Sequence, residues 1–385
     1  MPHPTNPARH TPLKIAVLGA GGGIGQSLSL LLKTELHSTC LAANSTIHIA
    51  LYDVNRDAVA GAATDLSHIN TPVNVTWHAA SSSTTQEAQE AQKAQEDPLA
   101  TCLRDATLVV IPAGVPRKPG MTRDDLFSIN ARIVTQLARG IAAHCDLSRT
   151  FVLLISNPVN SLVPILVETL VASSDARAAQ TVARRVFGLT QLDAVRASTF
   201  LHAALGCGPS DQLRVPVVGG HSGHTIVPLF SQASCQNSAQ DHKLRARVRA
   251  LSPEVLAQLV HRVQFGGDEV VKAKNGAGSA TLSMAYAAAQ ITRTFAELLL
   301  GLRPHLQDTL YANLGGAFST TETPDAAKHV TEVTKGLAYV SLPLTITKDG
   351  IQAIDTQWAQ NLTSDEVKLW ATCVKELEGT TVKPQ

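Results

Sequence analysis

The segment LKIAVLGAGGGIGQSLSLLLKTEL, residues 13–36, constrains the fold more than any other stretch of this chain. It opens with a short apolar run that is typical of a buried strand, passes through a cluster of glycines and continues in a helical pattern. A strand, a turn of small residues and a helix in immediate succession form the first half of a βαβ unit. The segment therefore predicts a parallel sheet with helices packed on it.

The same alternation of strand and helix continues to about residue 158. Further strands are predicted at 46–53, 106–114 and 150–158, with helices at 57–69 and about 124–144. Right-handed crossovers bring the carboxyl ends of such strands to one crevice, where ligands bind in open α/β sheets. We therefore expect an α/β protein whose N-terminal domain, residues 1–157, is a Rossmann doubly wound parallel sheet.

The pattern changes after residue 158 and favours a second, α+β domain over residues 158–385. Its predicted elements are a helix at 190–205, two strands around a glycine-rich turn within 214–230, a long helix at 272–302, strands within 337–351 and a final helix at about 364–378. Two segments are expected as insertions, a low-complexity stretch at about 81–97 and a stretch at about 305–330, in which residues 320–329 look like a loop.

Composition narrows the class of protein. The chain has 32 basic and 31 acidic residues, so its formal net charge of +1 gives no support for nucleic acid or an anionic membrane as the main partner. No apolar run reaches transmembrane length. The six cysteines are scattered without a CxxC pair, which favours a reducing compartment over a disulfide scaffold or a zinc site. No metal site is expected. No address signal is convincing, so a cytoplasmic location is plausible.

The glycine cluster has the spacing G-x-x-G-x-x-G at Gly19, Gly22 and Gly25, because Ile24 stands where the commoner dinucleotide fingerprint would need glycine. Small residues after a strand let the following helix present its free N–H groups to a pyrophosphate. Asp53 ends the next strand, where a carboxylate accepts from ribose hydroxyls and repels a 2′-phosphate. These features favour NAD over NADP. A flexible glycine loop, and Asp53 as a simple turn residue, are the alternatives.

Three further features lack an assignment from pattern alone. Arg117 and Arg123 lie in VPRKPGMTR, where the prolines and glycine exclude regular structure, so the loop is either a solvated basic loop or a lid that closes on an anion. Asp193 and Arg196 share one face of a helix, which also suits a surface ion pair. His221 lies among glycines, but a structural histidine is the alternative.

Taken together, the blocks of sequence around these residues resemble the malate dehydrogenases of the mitochondrial-like and bacterial branch of the lactate/malate dehydrogenase superfamily. The resemblance covers nearly the whole chain outside the insertions, and its blocks occur in the family's order. The blocks are VLGAGGGIGQ, LYD, DLSH, IPAGVPRKPGMTRDDL, ISNPVN, LTQLDAVRA, VPVVGGHSG and KAKNGAGSATLSMAYA.

The resemblance implies roles for individual positions. His221 matches the catalytic proton acceptor, and Asp193 matches the carboxylate that fixes its tautomer and favours the imidazolium. The residues that match substrate-binding positions are Arg196 for the C1 carboxylate, Arg123 for the reacting oxygen, Arg117 for the far carboxylate, and Asn157. The residues that match cofactor-binding positions are Gly19, Gly22, Ile24, Gly25, Asp53, Asn130, Ser156 and Met284.

The implied activity is NAD-dependent, reversible oxidation of (S)-malate to oxaloacetate, and the implied partner is a small dicarboxylate. The alternatives are another 2-hydroxy acid dehydrogenase, for lactate or an aromatic 2-oxo acid, and a catalytically silent binding paralogue. The resemblance also implies a homodimer, with a tetramer as the alternative. The same branch serves mitochondria and peroxisome-like organelles, which are therefore the alternatives to the cytoplasm.

Overall fold

A computed structural model describes residues 12–80, 97–116, 123–208, 211–235, 241–315 and 324–380 of the protein. One mixed sheet organises this part of the chain, in the strand order β3-β2-β1-β4-β5-β6-β11-β12-β8-β9, with β13 paired to β12 and with β7 and β10 forming a separate pair. The strands are β1 Leu13–Leu18, β2 Ile47–Asp53, β3 Asn74–Ala79, β4 Leu108–Ile111, β5 Phe151–Leu154, β6 Val186–Gly188, β7 Leu213–Arg214, β8 Val217–Gly219, β9 Ile226–Pro228, β10 Ser234–Cys235, β11 Leu306–Asn313, β12 Tyr339–Thr347 and β13 Gly350–Ile354.

The strands from β3 to β6 are all parallel. Strands β4 and β5 are buried along their whole length, as apolar strands covered by helices on both faces should be. The order β3-β2-β1-β4-β5-β6 is that of a Rossmann domain, which confirms the predicted fold class. The parallel order includes β6, beyond the domain boundary near residue 157, and that boundary stays a prediction.

The second half of the sheet is antiparallel. Strand β11 joins the two halves, because it pairs with both β6 and β12. Strands β8 and β9 pair around a tight turn, with Val218 opposite Val227, which confirms the two strands predicted within 214–230. The parallel strands and the β8–β9 pair therefore belong to one continuous sheet.

Helices cover this sheet on both faces. Helix α1 (Gly23–Ala43) packs along α10 (Leu282–Leu299), and the beginning of α10 therefore lies next to the glycine turn after β1. The helices are α1 Gly23–Ala43, α2 Arg56–Ser67, α3 Pro98–Leu103, α4 Arg123–His144, α5 Val159–Ala172, α6 Ala176–Val182, α7 Gln191–Leu205, α8 Asp241–Arg249, α9 Pro253–Ala273, α10 Leu282–Leu299, α11 Pro324–Thr334 and α12 Ser364–Thr380. In the part of the chain that the structure covers, no helix has the length and apolar character needed to cross a membrane.

The apolar interior forms two clusters. The larger one spans the sheet and includes Ile15, Val110 and Phe295, all fully buried. The smaller one lies under α7, α8 and α9 and includes Leu201 and Val263. Helix α7 has residues packed against both clusters, so its first turn is held rigidly between the two halves of the fold.

The predicted helix at 272–302 is wrong over its first residues. The helix begins at Leu282, and the preceding segment adopts positive φ at Asn275, Gly276 and Gly278 (51°, 80° and 108°). A right-handed helix cannot continue through that conformation. Helices α8 and α9, which end before this segment, were not predicted.

The predicted loop at 320–329 is also wrong over residues 324–329, which belong to α11, and residues 320–323 lie outside the described residues. The wider segment of about 305–330, expected as an insertion, contains β11, a strand in the middle of the sheet. Most of the other predicted insertion, residues 81–96, lies outside the described residues. The strand β3 was missed, because this edge strand is largely exposed and its sequence NVTWHA lacks a clear apolar alternation.

Candidate active site

The glycine turn between β1 and α1 is tight at two points. Gly19 has a φ of 100°, and a Cβ there would lie 2.4 Å from the Cα of Ala113. A Cβ on Gly25 would lie 2.2 Å from the carbonyl oxygen of Gly19. Helix α1 follows with Gly22 as its N-cap, which has no side chain to accept from the first N–H groups of the helix. These N–H groups are therefore available to bind an anion at the carboxyl end of β1.

Asp53 braces this turn from the end of β2. Its Oδ2 accepts a hydrogen bond from the backbone N–H of Gly21 at 2.8 Å, and its Oδ1 accepts from that of Asn55 at 2.9 Å. The second bond shows that Asp53 does serve as a turn residue. The first places its carboxylate directly against the glycine turn, as a ribose-binding carboxylate requires.

Two of the predicted cofactor-binding residues, Asn130 and Ser156, make hydrogen bonds within the protein. Asn130 is 2% exposed; its side chain accepts from the N–H of Val115 at 2.9 Å and donates to the carbonyl oxygen of Asn157 at 2.7 Å. Ser156 is buried, and its hydroxyl donates to the carbonyl oxygens of Ile111 and Ala113. Both side chains therefore support the loops at the ends of β4 and β5, and their predicted contact with a cofactor stays a prediction.

The other two predicted cofactor contacts lie close to the glycine turn. Ile24 is in the first turn of α1, and its partly buried side chain packs against the core. Met284 is in the first turn of α10 and is 4% exposed. Thr281, the N-cap of that helix, lies 3.3 Å from where a Cβ on Gly23 would be. Ile24 and Met284 thus place apolar side chains beside the turn.

A buried histidine–carboxylate pair lies on the far side of the crevice. The Nδ1 of His221 is 2.6 Å from the Oδ2 of Asp193, across 28 positions of sequence. The Asp193 side chain is 0% exposed and that of His221 10% exposed. Because an ionised carboxylate only accepts hydrogen bonds, Nδ1 carries the proton, and Nε2 is left as the basic atom of the ring.

The first turn of α7 holds Asp193 in place. The N-terminal end of a helix favours a negative charge. The beginning of α7 is tied to the sheet, since Gln191 donates to the carbonyl oxygen of Thr309 at 2.9 Å and Thr190 shares a hydrogen bond with Ser341 at 2.8 Å. The carboxylate therefore has a fixed position before any ligand arrives.

Arg196 lies one turn further along α7, with its side chain 13% exposed. Its Nη1 is 3.9 Å from the Oδ1 of Asp193, too far for a hydrogen bond. Burial lowers the pKa of Arg196, and the carboxylates of Asp193 and Glu269 oppose this effect. Glu269 itself is held by Arg262 at 2.8 Å. A guanidinium stays charged in this setting, so Arg196 can pair with a carboxylate from outside the protein.

Space for this arginine is made by a glycine of α9 that was not singled out from the sequence. A Cβ on Gly266 would lie 3.1 Å from the Cδ and 3.3 Å from the Nε of Arg196. We expect Gly266→Ala to lower kcat/KM for a 2-oxo acid roughly tenfold, because it displaces the guanidinium from its binding position. Steady-state kinetics check this result.

Gly267→Ala is the matched control for that substitution. It makes the same change one residue further along the same helix, where a Cβ would meet nothing within 4 Å. Its kcat/KM should equal that of the wild type. Equal losses in the two variants would show that helix stability, and not the space beside Arg196, causes the effect.

The turn between β8 and β9 fixes the backbone of His221. Gly219 has a φ of 103°, and a Cβ there would lie 2.2 Å from the carbonyl oxygen of Thr225. His224 is the other histidine of this turn that could have paired with Asp193. Its Nδ1 lies 3.3 Å from the Oε1 of Gln264, and its ring forms a T-shaped contact with that of Phe265. Asp193 therefore pairs with His221, and His224 belongs to a separate contact with α9.

The predicted loop arginines are less fully described. Arg117 lies outside the described residues, and Arg123 is the first residue of α4, with its side chain also outside them. Val115, two residues before Arg117, is hydrogen-bonded to Asn130 through both its N–H and its carbonyl group. Asn157 lies at the end of β5 and is exposed. The structure thus places the base of the arginine loop beside Asn157, at the same edge of the sheet.

The structure forms two of the predicted groups, the glycine turn with Asp53 and, across the crevice, the set Asp193, Arg196 and His221. Among the described residues, no cluster of three or more His, Cys, Asp or Glu side chains has the arrangement of a metal site. An anion-binding helix terminus, a carboxylate for ribose, a basic histidine and an arginine 3.9 Å from the Asp193 carboxylate together suit redox chemistry on a carboxylate substrate with a dinucleotide.

Comparison with known proteins gives matches over both halves of the chain. The profile of the lactate/malate dehydrogenase NAD binding domain matches residues 13–188, and that of the lactate/malate dehydrogenase alpha/beta C-terminal domain matches residues 190–383. These two profiles together cover nearly all of the described residues.

Individual relatives agree with these matches. The chain is 44% identical over 388 residues to the cytoplasmic malate dehydrogenase of Saccharomyces cerevisiae, covering 98% of this chain and 96% of that protein. It is 39% identical over 367 residues to the mitochondrial malate dehydrogenase of the same yeast, covering 95% and 91%. The crystal structure of Cryptosporidium parvum malate dehydrogenase aligns with a TM-score of 0.68 at 25% identity, covering 96% of this chain and 98% of that one.

Proposed function

The chain belongs to the lactate/malate dehydrogenase family, and from this membership and the geometry of its site we propose that it is an NAD-dependent malate dehydrogenase. The reaction is the reversible oxidation of (S)-malate to oxaloacetate. The observation that carries the proposal is the 2.6 Å bond between His221 and the buried Asp193, with Arg196 beside it.

His221 performs the proton transfer. With Nδ1 bonded to Asp193, its Nε2 takes the proton of the malate C2 hydroxyl, and it returns that proton when oxaloacetate is reduced. The imidazolium formed on oxidation lies against the Asp193 carboxylate, which offsets its charge inside the protein. Because Asp193 is fully buried, water does not compete for this bond.

The glycine turn fits a dinucleotide. Because Gly19 and Gly25 have no Cβ, the backbone can turn tightly at both positions, and the Asp53 carboxylate lies beside this turn. Gly22 and the first turn of α1 would hold the pyrophosphate, and Asp53 would accept from the ribose hydroxyls, which favours NAD over NADP. When bound, NAD supplies the acceptor for the hydride that leaves C2.

Positively charged groups orient the substrate. Arg196, whose guanidinium makes no hydrogen bond with another described side chain, binds the C1 carboxylate. Family membership supports Arg123 as the group that polarises the reacting oxygen and Arg117 as the partner of the second carboxylate. Asn157, at the end of β5, completes the substrate side of the crevice.

A homodimer is the proposed assembly. Helices α7 and α10 border a groove of about 1410 Å³, lined by polar side chains that include Ser198, His202, Gln290 and Thr294. Leu282 and Tyr286, on one face of α10, are 74% and 44% exposed. An exposed apolar strip beside a wide groove is suited to a second copy of the chain. A tetramer is the alternative, and sedimentation velocity distinguishes them by mass.

The proposed compartment is the cytoplasm. The support is that the yeast protein named cytoplasmic is 44% identical over 98% of this chain, whereas two relatives named mitochondrial with 44% and 45% identity match only 75% and 72% of it. Imaging of the chain tagged separately at each end tests this assignment. A mitochondrial or peroxisome-like pattern with either tag would overturn it.

Loss of NADH absorbance after addition of oxaloacetate tests the activity. We expect turnover with NADH and much slower turnover with NADPH, because Asp53 repels the 2′-phosphate. Retained NADH binding without turnover on any 2-oxo acid would instead indicate a silent binding paralogue.

A further inference from the structure

Asn160, in the first turn of α5, reaches across to the turn that carries His221. It is 4% exposed. Its Oδ1 accepts a hydrogen bond from the backbone N–H of His221 at 2.8 Å, and its Nδ2 donates to the hydroxyl of Ser222 at 3.0 Å. The Nδ2 also lies 3.4 Å from the hydroxyl oxygen of Thr225. One buried amide therefore holds both the histidine backbone and the residues that follow it.

The turn is shaped to admit this amide. A Cβ on Gly220 would lie 2.7 Å from the Nδ2 of Asn160 and 2.4 Å from the hydroxyl oxygen of Thr225. The Tyr311 hydroxyl, 1% exposed as a residue, donates to the backbone carbonyl oxygen of Asn160 at 3.3 Å. A side chain at position 220 would push the amide away, so the glycine and the asparagine are fitted to each other.

The position of Asn160 in the chain links two parts of the site. It lies three residues after Asn157, at the start of the helix that follows β5, and Asn130 donates to the carbonyl oxygen of Asn157 at 2.7 Å. Asp193 fixes the His221 ring through Nδ1, and the hydrogen bond to Asn160 adds a direct contact with the backbone N–H of the histidine. Asn160 supplies the second anchor, which is needed to hold a proton-transfer atom within a fraction of an ångström.

We propose that Asn160 is a positioning residue for catalysis, which sets the location of His221 relative to the Asn157 segment through the hydrogen bond to the His221 N–H. This inference rests on the proposed function. It assigns Asn160 no contact with substrate. Its effect is on the rate of proton transfer, and NADH binding at the distant glycine turn is unaffected.

Asn160→Ala tests the proposal. We expect kcat for oxaloacetate reduction, per NADH site counted by fluorescence titration, to fall roughly 10- to 100-fold. The Kd for NADH and the KM for oxaloacetate should change less than about threefold, because Arg196 and the glycine turn remain in place. Counting NADH sites removes any loss that comes from unfolded protein. A kcat per site within twofold of the wild type would overturn the proposal.

Asn160→Asp supplies a second readout. One carboxylate oxygen still accepts from the His221 N–H, so this variant should keep at least several-fold more kcat than Asn160→Ala. The added negative charge favours the protonated imidazole, and malate oxidation needs the neutral ring. Its half-maximal rate should therefore move to higher pH, by roughly half a unit. If Asn160→Ala does not fold, the kcat of Asn160→Asp at its own optimal pH decides, and a loss of 100-fold or more there would overturn the proposal, because this variant keeps the acceptor for the His221 N–H.

Tyr311→Phe is the matched control. It removes the hydrogen bond to the Asn160 carbonyl oxygen but leaves the side-chain amide and its bond to His221 intact. Wild-type kcat is expected, and a loss equal to that of Asn160→Ala would overturn the proposal in favour of general packing around α5. Absence of oxaloacetate turnover in the wild type itself would instead refute the proposed function, so the two failures are distinguishable.

Discussion

Asp193→Asn should lower kcat for oxaloacetate reduction by roughly 10²- to 10⁴-fold. The carboxylate now accepts the Nδ1–H bond of His221 at 2.6 Å from a fully buried position. An amide of the same shape lacks the charge that stabilises the imidazolium, and its NH₂ group can donate to Nδ1 and so select the wrong tautomer. Stopped-flow absorbance of NADH measures the chemical step directly.

The control for this substitution is Asp146→Asn. Asp146 forms an ion pair with Arg149 at 3.1 Å, but both side chains are about half exposed, so the same loss of charge falls on a solvated pair. It should leave kcat unchanged. NADH affinity should stay near wild type in both variants, because neither residue lies at the glycine turn. A kcat for Asp193→Asn within threefold of wild type would refute the assigned role of the pair.

Arg117→Gln should separate dicarboxylate from monocarboxylate substrates. Removing one arginine leaves the far carboxylate of oxaloacetate uncompensated in a closed site, which costs roughly 2–5 kcal/mol, or about 30- to 5000-fold in kcat/KM. Pyruvate has no second carboxylate, so its slow reduction should change little. Steady-state kinetics on both substrates give the two ratios.

Lys118→Gln is the control for Arg117→Gln, because it removes the same charge from the adjacent position of the same loop. Loss of a loop charge at a position that matches no substrate-binding residue of the family should change the activity on both substrates slightly and equally. If Arg117→Gln reduced activity on oxaloacetate and pyruvate by the same factor, the role of Arg117 in reading the second carboxylate would be wrong.

The parallel half of the fold could be predicted because its signals are local. Strands such as β4 and β5 are short apolar runs buried on both faces, and glycine, proline and helical periodicity separate them. The antiparallel half was predicted less well. Its helix α10 was predicted to begin too early, because residues of good helical propensity surround Asn275, Gly276 and Gly278. The positive φ of these three residues, which ends helical structure there, is seen only in the structure.

The site shows the same division. The glycine turn and Asp53 follow from a strand–turn–helix motif, although Gly21 and Asp53 are 32 residues apart, whereas His221 and Asp193, 28 residues apart, belong to no local motif and were joined only by family resemblance. The supporting residues could not be read from the sequence at all. The bonds of Asn130 to Val115 and Asn157 are an example, because they depend on how separate segments of the chain meet.

The measurement that tests the proposed function most directly is the ratio of kcat/KM for oxaloacetate to that for pyruvate, taken with NADH on the wild-type protein. An arginine that pairs with the second carboxylate should favour oxaloacetate by roughly 100-fold or more. A ratio near one, or a preference for pyruvate or an aromatic 2-oxo acid, would contradict the assignment and make the chain a different 2-hydroxy acid dehydrogenase.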